Sequence, residues 1–219
     1  MEYVVLLIIA IIIFIILGIM FDVNIKKIKQ IGEDKELDIL TQKYPENIEI
    51  CKWYLRKLKN ENATLYLVTS NKIFIANLKN SYTRIQTIAH ECLHSIQNKK
   101  LLWFNFIFSN IYLLYFAIIF LLGIFKVLPY KMLFMAIFLI LSLVYYAVRT
   151  YLENDAMIKA RFLAKEYMED VKISTKEEID KIIARYDELN DIGIKFTNFQ
   201  FLSKILLKVF ILVLIFIIF

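Results

Sequence analysis

Four long apolar runs constrain the fold of this chain more than any other feature. They cover residues 3–21, 101–125, 132–148 and 199–219, and only the last of them carries charged side chains. A helix of about 20 apolar residues crosses the roughly 30 Å hydrocarbon layer of a bilayer. The hydrophobic share of the sequence is 59%, above the roughly 45–50% of soluble domains. The sequence therefore predicts a mainly α-helical membrane protein with about four transmembrane helices.

The flanks of these runs indicate how each one meets the membrane. Glu2 precedes the first run and a lysine cluster follows it, the reverse of the charge order in a cleaved signal peptide, so we expect an uncleaved anchor. The second and third runs are separated by KVLPYK, in which Pro129 lacks a backbone donor, and together they predict a transmembrane hairpin. Lys204 and Lys208 lie one turn apart in the last run and can both reach the headgroups.

Basic residues close to the ends of the runs predict the orientation. They cluster between positions 26 and 35, at 99–100 and at Arg149, which places residues 22–100 and 149–200 in the cytoplasm. Four lysines near the first span and the net charge of +6 favour contact with anionic lipid over nucleic acid. We expect one membrane-integrated domain over residues 1–219, in a bacterial plasma membrane. Cys51 and Cys92 would be reduced in the cytoplasm, so no disulfide is predicted.

The segment between the first two spans predicts a mixed region. Residues 45–59 have the pattern of an amphipathic helix, which could lie on the membrane surface or, as we favour, pack on its own domain. Residues 64–68 and 72–76 are β-rich runs around a turn; their sheet could accept an extended substrate at its edge or only cover the helix behind it. With a motif helix over 82–98, this predicts a small α+β zincin-like cytoplasmic catalytic region.

Two further helices are predicted after the third span. Residues 150–170 have a helical pattern, and Thr175 with Glu178 has the spacing of a capping box. The capping box predicts a new helix that runs to about Asn190.

The HECLH motif at residues 90–94 carries the chemistry. Residues four apart share one face of a helix, so His90 and His94 can direct imidazole nitrogens at one Zn²⁺. Glu91 then lies beside the metal without binding it, where it can accept a proton from zinc-bound water and pass it to the leaving amine. The chain has only two histidines and both belong to this motif, which favours a metal site over a chance match.

A catalytic zinc site uses three protein ligands and one open position, and Glu153 is the best candidate for the third ligand. Two spans separate it from His94, so both residues return to the same side of the membrane. Leu101 follows His94 by seven residues and Glu153 follows Val148 by five, so both lie roughly 10 Å or less from the hydrocarbon edge.

Other polar side chains are candidates for supporting roles. Asp155 competes with Glu153 as a ligand, but it projects about 200° away around the helix and could instead orient a histidine. Gln97 falls on the same face as the two histidines. The oxyanion that develops at the scissile carbonyl needs a donor besides zinc. The candidates for that donor are Tyr82, Tyr146, Arg149 and Tyr151.

The segments IAHECLHSIQ and ENDA resemble the neutral zinc metallopeptidases of bacterial membranes, a gluzincin-like family. The resemblance covers residues 60–100 and 149–168, under a third of the chain. It implies that His90, His94 and Glu153 bind zinc and that Glu91 is the general base. Leu93 departs from the family, which usually has glycine before the second histidine.

These features predict a zinc-dependent membrane endopeptidase with one Zn²⁺ per chain. Its expected substrates are membrane-associated or misfolded proteins near the cytoplasmic surface. The heat-shock and CAAX prenyl proteases have a similar layout but normally carry aspartate four residues after the downstream glutamate, where this chain has Met157. The remaining alternative is a non-catalytic membrane scaffold derived from a protease.

Overall fold

A computed structural model of the chain describes residues 2–59 and 81–219. Those residues form helices α1 (Glu2–Gly32), α2 (Lys35–Gln42), α3 (Asn47–Lys57), α4 (Arg84–His94), α5 (Lys99–Ile124), α6 (Lys131–Val171) and α7 (Lys176–Ile218). The chain divides into two compact units. The first unit contains Met1–Val23, Lys99–Tyr151 and Phe196–Phe219; the second contains Asn24–Asn98 and Leu152–Lys195.

Helices α1, α5, α6 and α7 are each long and apolar enough to cross a membrane. Each of them contains most or all of one predicted apolar run. Two of the helices are longer than predicted: α6 continues through residues 150–170 without a break, and α7 runs from the capping box into the fourth apolar run instead of ending near Asn190. Both helices can continue because no proline follows Pro129 to break them. The glycine at position 193, within α7, costs a helix only about 1 kcal/mol.

The first unit is held together by apolar side chains from α5, α6 and α7. Tyr112, Phe138 and Leu212 are buried in its core. Gly123 allows close packing, because a Cβ atom at this position would lie 2.8 Å from Ile215 Cγ2. The outer faces of the same helices remain apolar and exposed, as suits contact with lipid; examples are Trp103, Leu114 and Leu143, at 64%, 60% and 68% exposure.

The core of the second unit is built by helices packed on helices. Large side chains from α3, α4, α6 and α7 are almost fully buried in it: Tyr54, Leu55, Ile85, Ile88, Tyr167, Ile182 and Tyr186. The predicted amphipathic helix is α3, and its apolar face, including Cys51, belongs to this core. The interpretation of α3 as a helix packed on its own domain is therefore confirmed.

The predicted α+β zincin-like region is wrong. Within residues 2–59 and 81–219 the structure contains helices and no strand. The apolar face of the motif helix α4 is covered by neighbouring helices, so it needs no sheet behind it. The two predicted strands, residues 64–68 and 72–76, lie outside the described residues.

The capping box at the start of α7 is confirmed. The backbone N–H of Thr175 donates to Glu178 Oε2 at 2.8 Å, and the backbone N–H of Glu178 donates to Thr175 Oγ1 at 3.2 Å. Each side chain thus satisfies a backbone donor that the first helical turn leaves without a partner.

Arg84, the first residue of α4, fixes the motif helix to the turn between α2 and α3. Its guanidinium is buried and donates to four oxygens at 2.8–2.9 Å: the carbonyls of Thr41, Tyr44 and Pro45, and Asn47 Oδ1. The carbonyls of Tyr44 and Pro45 lie beyond the end of α2, where the helix supplies no donor, whereas the Thr41 carbonyl also accepts from the backbone N–H of Tyr44 at 3.2 Å.

Arg84→Met should therefore destabilise the second unit. We expect the free energy of unfolding in detergent to fall by about 3 kcal/mol, because the substitution removes four hydrogen bonds from a buried, charged guanidinium. Arg56→Met is the matched control, since Arg56 is exposed on α3, and it should change stability by only about 0.5 kcal/mol. Equal effects of the two substitutions would contradict this role for Arg84.

Candidate metal centre

Burial of one face of α4 leaves the histidines of the motif on another face. Ile85, Ile88 and Ala89 are fully buried, as is Cys92 one turn later. The His90 and His94 side chains remain 19% and 25% exposed. The helix therefore presents both imidazoles at the edge of the core, where they are partly shielded from water but still accessible.

Helix α6 brings the carboxylate of Glu153 to these two imidazoles. Glu153 Oε2 lies 3.5 Å from the Nε2 atoms of both histidines, and the two Nε2 atoms are 3.1 Å apart. Within the described residues, these three side chains form the one cluster of His, Cys, Asp and Glu whose geometry could hold a metal ion.

The three ligand atoms fit a zinc ion. A point equidistant from them, in their own plane, lies about 2 Å from each, which matches Zn–N and Zn–O distances of about 2.0–2.2 Å. Two imidazole nitrogens and one carboxylate oxygen are also ligands that zinc prefers, and they leave a fourth position open.

The charges around the centre favour a bound cation. Burial acts to lower the pKa of His94, but hydrogen bonds to Glu153 and Gln97 and the negative charges of Glu153 and Glu91 outweigh it, so the pKa is raised. A raised pKa means that the site stabilises positive charge on the imidazole. The same potential would stabilise a metal ion.

Glu91 is the acidic residue of the motif. It is half-buried on α4, between the two histidines in sequence. Its charge is close enough to act on His94.

Gln97 and Asp155 lie beside the centre. Gln97 is buried just after α4, with Oε1 2.9 Å from His94 Nδ1 and Nε2 2.7 Å from the carbonyl oxygen of Leu152. Asp155 Oδ2 lies 3.4 Å from the same amide nitrogen. Asp155 therefore reaches the centre through Gln97, and the metal-ligand cluster contains Glu153 and not its competitor.

Tyr82 and Arg149 have other partners. The buried hydroxyl of Tyr82 donates to the carbonyl of Ile31 at 2.7 Å, and burial raises the pKa of Tyr82 to about 12. Arg149 belongs to the first unit, where its guanidinium lies 5.5 Å from the ring centroid of Phe201.

Two groups that support the centre were not predicted from the sequence. Lys159 Nζ lies 2.6 Å from Asp155 Oδ1, a pair that the i,i+4 spacing on a helix could have revealed. The carbonyl of Leu152 accepts from Gln97, and a backbone group leaves no signal in a sequence.

The sequence matches no family model, and no curated protein or solved structure matches it either. The chemistry of the centre must therefore be inferred from its own side chains.

Proposed function

We propose that this protein is a zinc-dependent endopeptidase. His90, His94 and Glu153 would hold one Zn²⁺ per chain, and Glu91 would be the general base. The observation that carries this proposal is the convergence of two imidazole nitrogens and a carboxylate oxygen. The resemblance of IAHECLHSIQ and ENDA to the neutral zinc metallopeptidases supports the same assignment, and we propose membership of that family.

The zinc ion and Glu91 would have different roles in peptide-bond hydrolysis. A bound zinc ion supplies Lewis-acid chemistry, which acidifies water and polarises a carbonyl. Glu91 accepts the proton of the attacking water and later delivers it to the amine nitrogen as the C–N bond breaks. The water oxygen ends on the carbonyl carbon, so a peptide and one water give a carboxylate and an amine.

We further propose that the substrates are proteins in or near the membrane. Four helices are long and apolar enough to cross a bilayer, and Glu153 follows the third apolar run on the same helix, five residues after Val148. The distribution of Lys and Arg favours a cytoplasmic position for residues 22–100 and 149–200, which include the motif.

The proposal predicts one zinc ion per chain in protein purified in detergent. His90→Ala should lose this zinc, because two ligands do not hold the ion as three do. Hydrolysis of casein should stop when a chelator removes the metal and return when zinc is added. Elemental analysis and release of labelled peptides measure the two effects.

Thr87→Ala is the control on the same helix, since the Thr87 hydroxyl donates to the carbonyl of Thr83 and not to the centre. It should retain both zinc and activity. Metal-free protein with unchanged stability would instead support a non-catalytic scaffold. Tightly bound iron in place of zinc would also contradict the proposal, since two histidines and one carboxylate can hold Fe(II) as well.

A further inference from the structure

The amide of Gln97 has only one orientation that satisfies its neighbours. A backbone carbonyl only accepts hydrogen bonds, so the group 2.7 Å from the Leu152 oxygen must be the amide nitrogen of Gln97. Asp155 Oδ2, 3.4 Å from the same nitrogen, is a second acceptor on that side. The amide oxygen is therefore turned towards His94.

This orientation determines which nitrogen of His94 carries the proton. Gln97 Oε1 only accepts, and it lies 2.9 Å from His94 Nδ1, so Nδ1 must be the donor. A neutral imidazole has one N–H, and the lone pair is then on Nε2, the atom that faces His90 and Glu153. That is the tautomer a metal ligand needs.

The same amide also connects the two chain segments that supply the ligands. It follows α4, which carries both histidines, and it donates to the residue immediately before Glu153 on α6. Gln97 is only 8% exposed, so little water competes for either hydrogen bond. One side chain thus acts on an imidazole and on the backbone beside the carboxylate.

We propose that Gln97 is a positioning residue of the metal centre. Gln97 holds His94 with the Nε2 lone pair directed towards His90 and Glu153, and it keeps His94 aligned with Glu153. This inference rests on the proposed function, because it assumes that the centre binds zinc. Asp155 extends the arrangement: it is held by Lys159 at 2.6 Å and helps to keep the amide nitrogen of Gln97 turned away from the imidazole.

Two substitutions of Gln97 separate positioning from a merely structural role. Gln97→Met keeps the size but removes the acceptor, and it should weaken zinc binding by about 10–100-fold, as loss of an outer-shell partner does. Gln97→Glu keeps an acceptor for Nδ1–H, and it should bind zinc at least tenfold more tightly than Gln97→Met. Competition with a chromophoric chelator measures both affinities.

Thermal stability should rank the two variants in the opposite order to zinc affinity. Gln97→Glu places a carboxyl group against the Leu152 carbonyl and Asp155, so its thermal midpoint should fall below that of Gln97→Met. If Gln97 had only a structural role, the more stable of the two variants would also be the tighter zinc binder. Asp155→Asn measures how much of the zinc affinity is due to the negative charge of Asp155, since it removes that charge but leaves the acceptor on Gln97. Its effect on zinc affinity should be smaller than that of Gln97→Met.

Gln86→Met is the matched control. Gln86 is another buried glutamine, 7% exposed on α4, but its amide donates to Asn190. The substitution should lower stability and leave zinc affinity unchanged. The inference is overturned if Gln97→Met binds zinc as tightly as the wild type, or if Gln97→Glu is the weaker binder. If the wild type itself binds no zinc, the metal centre is rejected together with this role; unchanged affinity in Gln97→Met rejects the role alone.

Discussion

Glu91→Gln should lower the rate of peptide-bond hydrolysis by about 10²–10⁴-fold, the usual contribution of a general acid–base group. The amide has nearly the same shape as the carboxylate but cannot take a proton from water. Glu91 is not among the three side chains of the ligand cluster, so the zinc content should stay at one ion per chain. Initial rates on casein, together with elemental analysis of the same sample, measure both quantities.

Glu49→Gln is the control for this substitution, because Glu49 is an exposed acid on α3. It should leave both rate and zinc content unchanged. Full activity in Glu91→Gln would exclude Glu91 as the base. Loss of zinc in Glu91→Gln would show that the carboxylate supports the ion and not only the proton transfer.

Glu153→Gln should weaken zinc binding by more than 100-fold, beyond the roughly 10–100-fold effects of residues that act through a ligand. Glu153 supplies the only negative charge among the three ligands. An amide oxygen is a poorer ligand, and the two histidines would have to hold the divalent ion without that charge. The affinity measured by chelator competition should therefore fall further than in any substitution of Gln97.

Glu166→Gln is the matched control on α6, since Glu166 is half-exposed and pairs with Lys57 at 2.6 Å. It should bind zinc like the wild type. Asp155→Asn tests the competing ligand directly. If Asp155→Asn loses the metal and Glu153→Gln keeps it, the assignment of the third ligand is reversed.

Local patterns predicted the parts of this protein that depend on a few neighbouring residues. The i,i+4 spacing of His90 and His94 predicts that they share a face, and their Nε2 atoms lie 3.1 Å apart. The capping box at Thr175 depends only on two side chains and two backbone groups of one turn. Uncharged apolar runs predict long helices because a helix satisfies all backbone groups in lipid.

Features that depend on distant packing were not predicted. Short β-rich runs do not show whether helices already cover the motif helix, and α4 is covered by other helices. The changes between apolar and polar residues near position 149 and after Asn190 predict helix ends there, but α6 and α7 continue through both positions because no residue there breaks a helix. The partner of Gln97 is a carbonyl 55 positions away, which no spacing rule reveals.

Both imidazoles of the chain lie in this one centre, and both thiols lie in the core of the second unit. Protein grown with ¹⁵N-labelled histidine would therefore give ring signals in an NMR spectrum from this centre alone, with no background to assign. A cobalt(II) derivative would likewise lack sulfur-to-metal charge-transfer bands, so its d–d spectrum would report the coordination geometry directly.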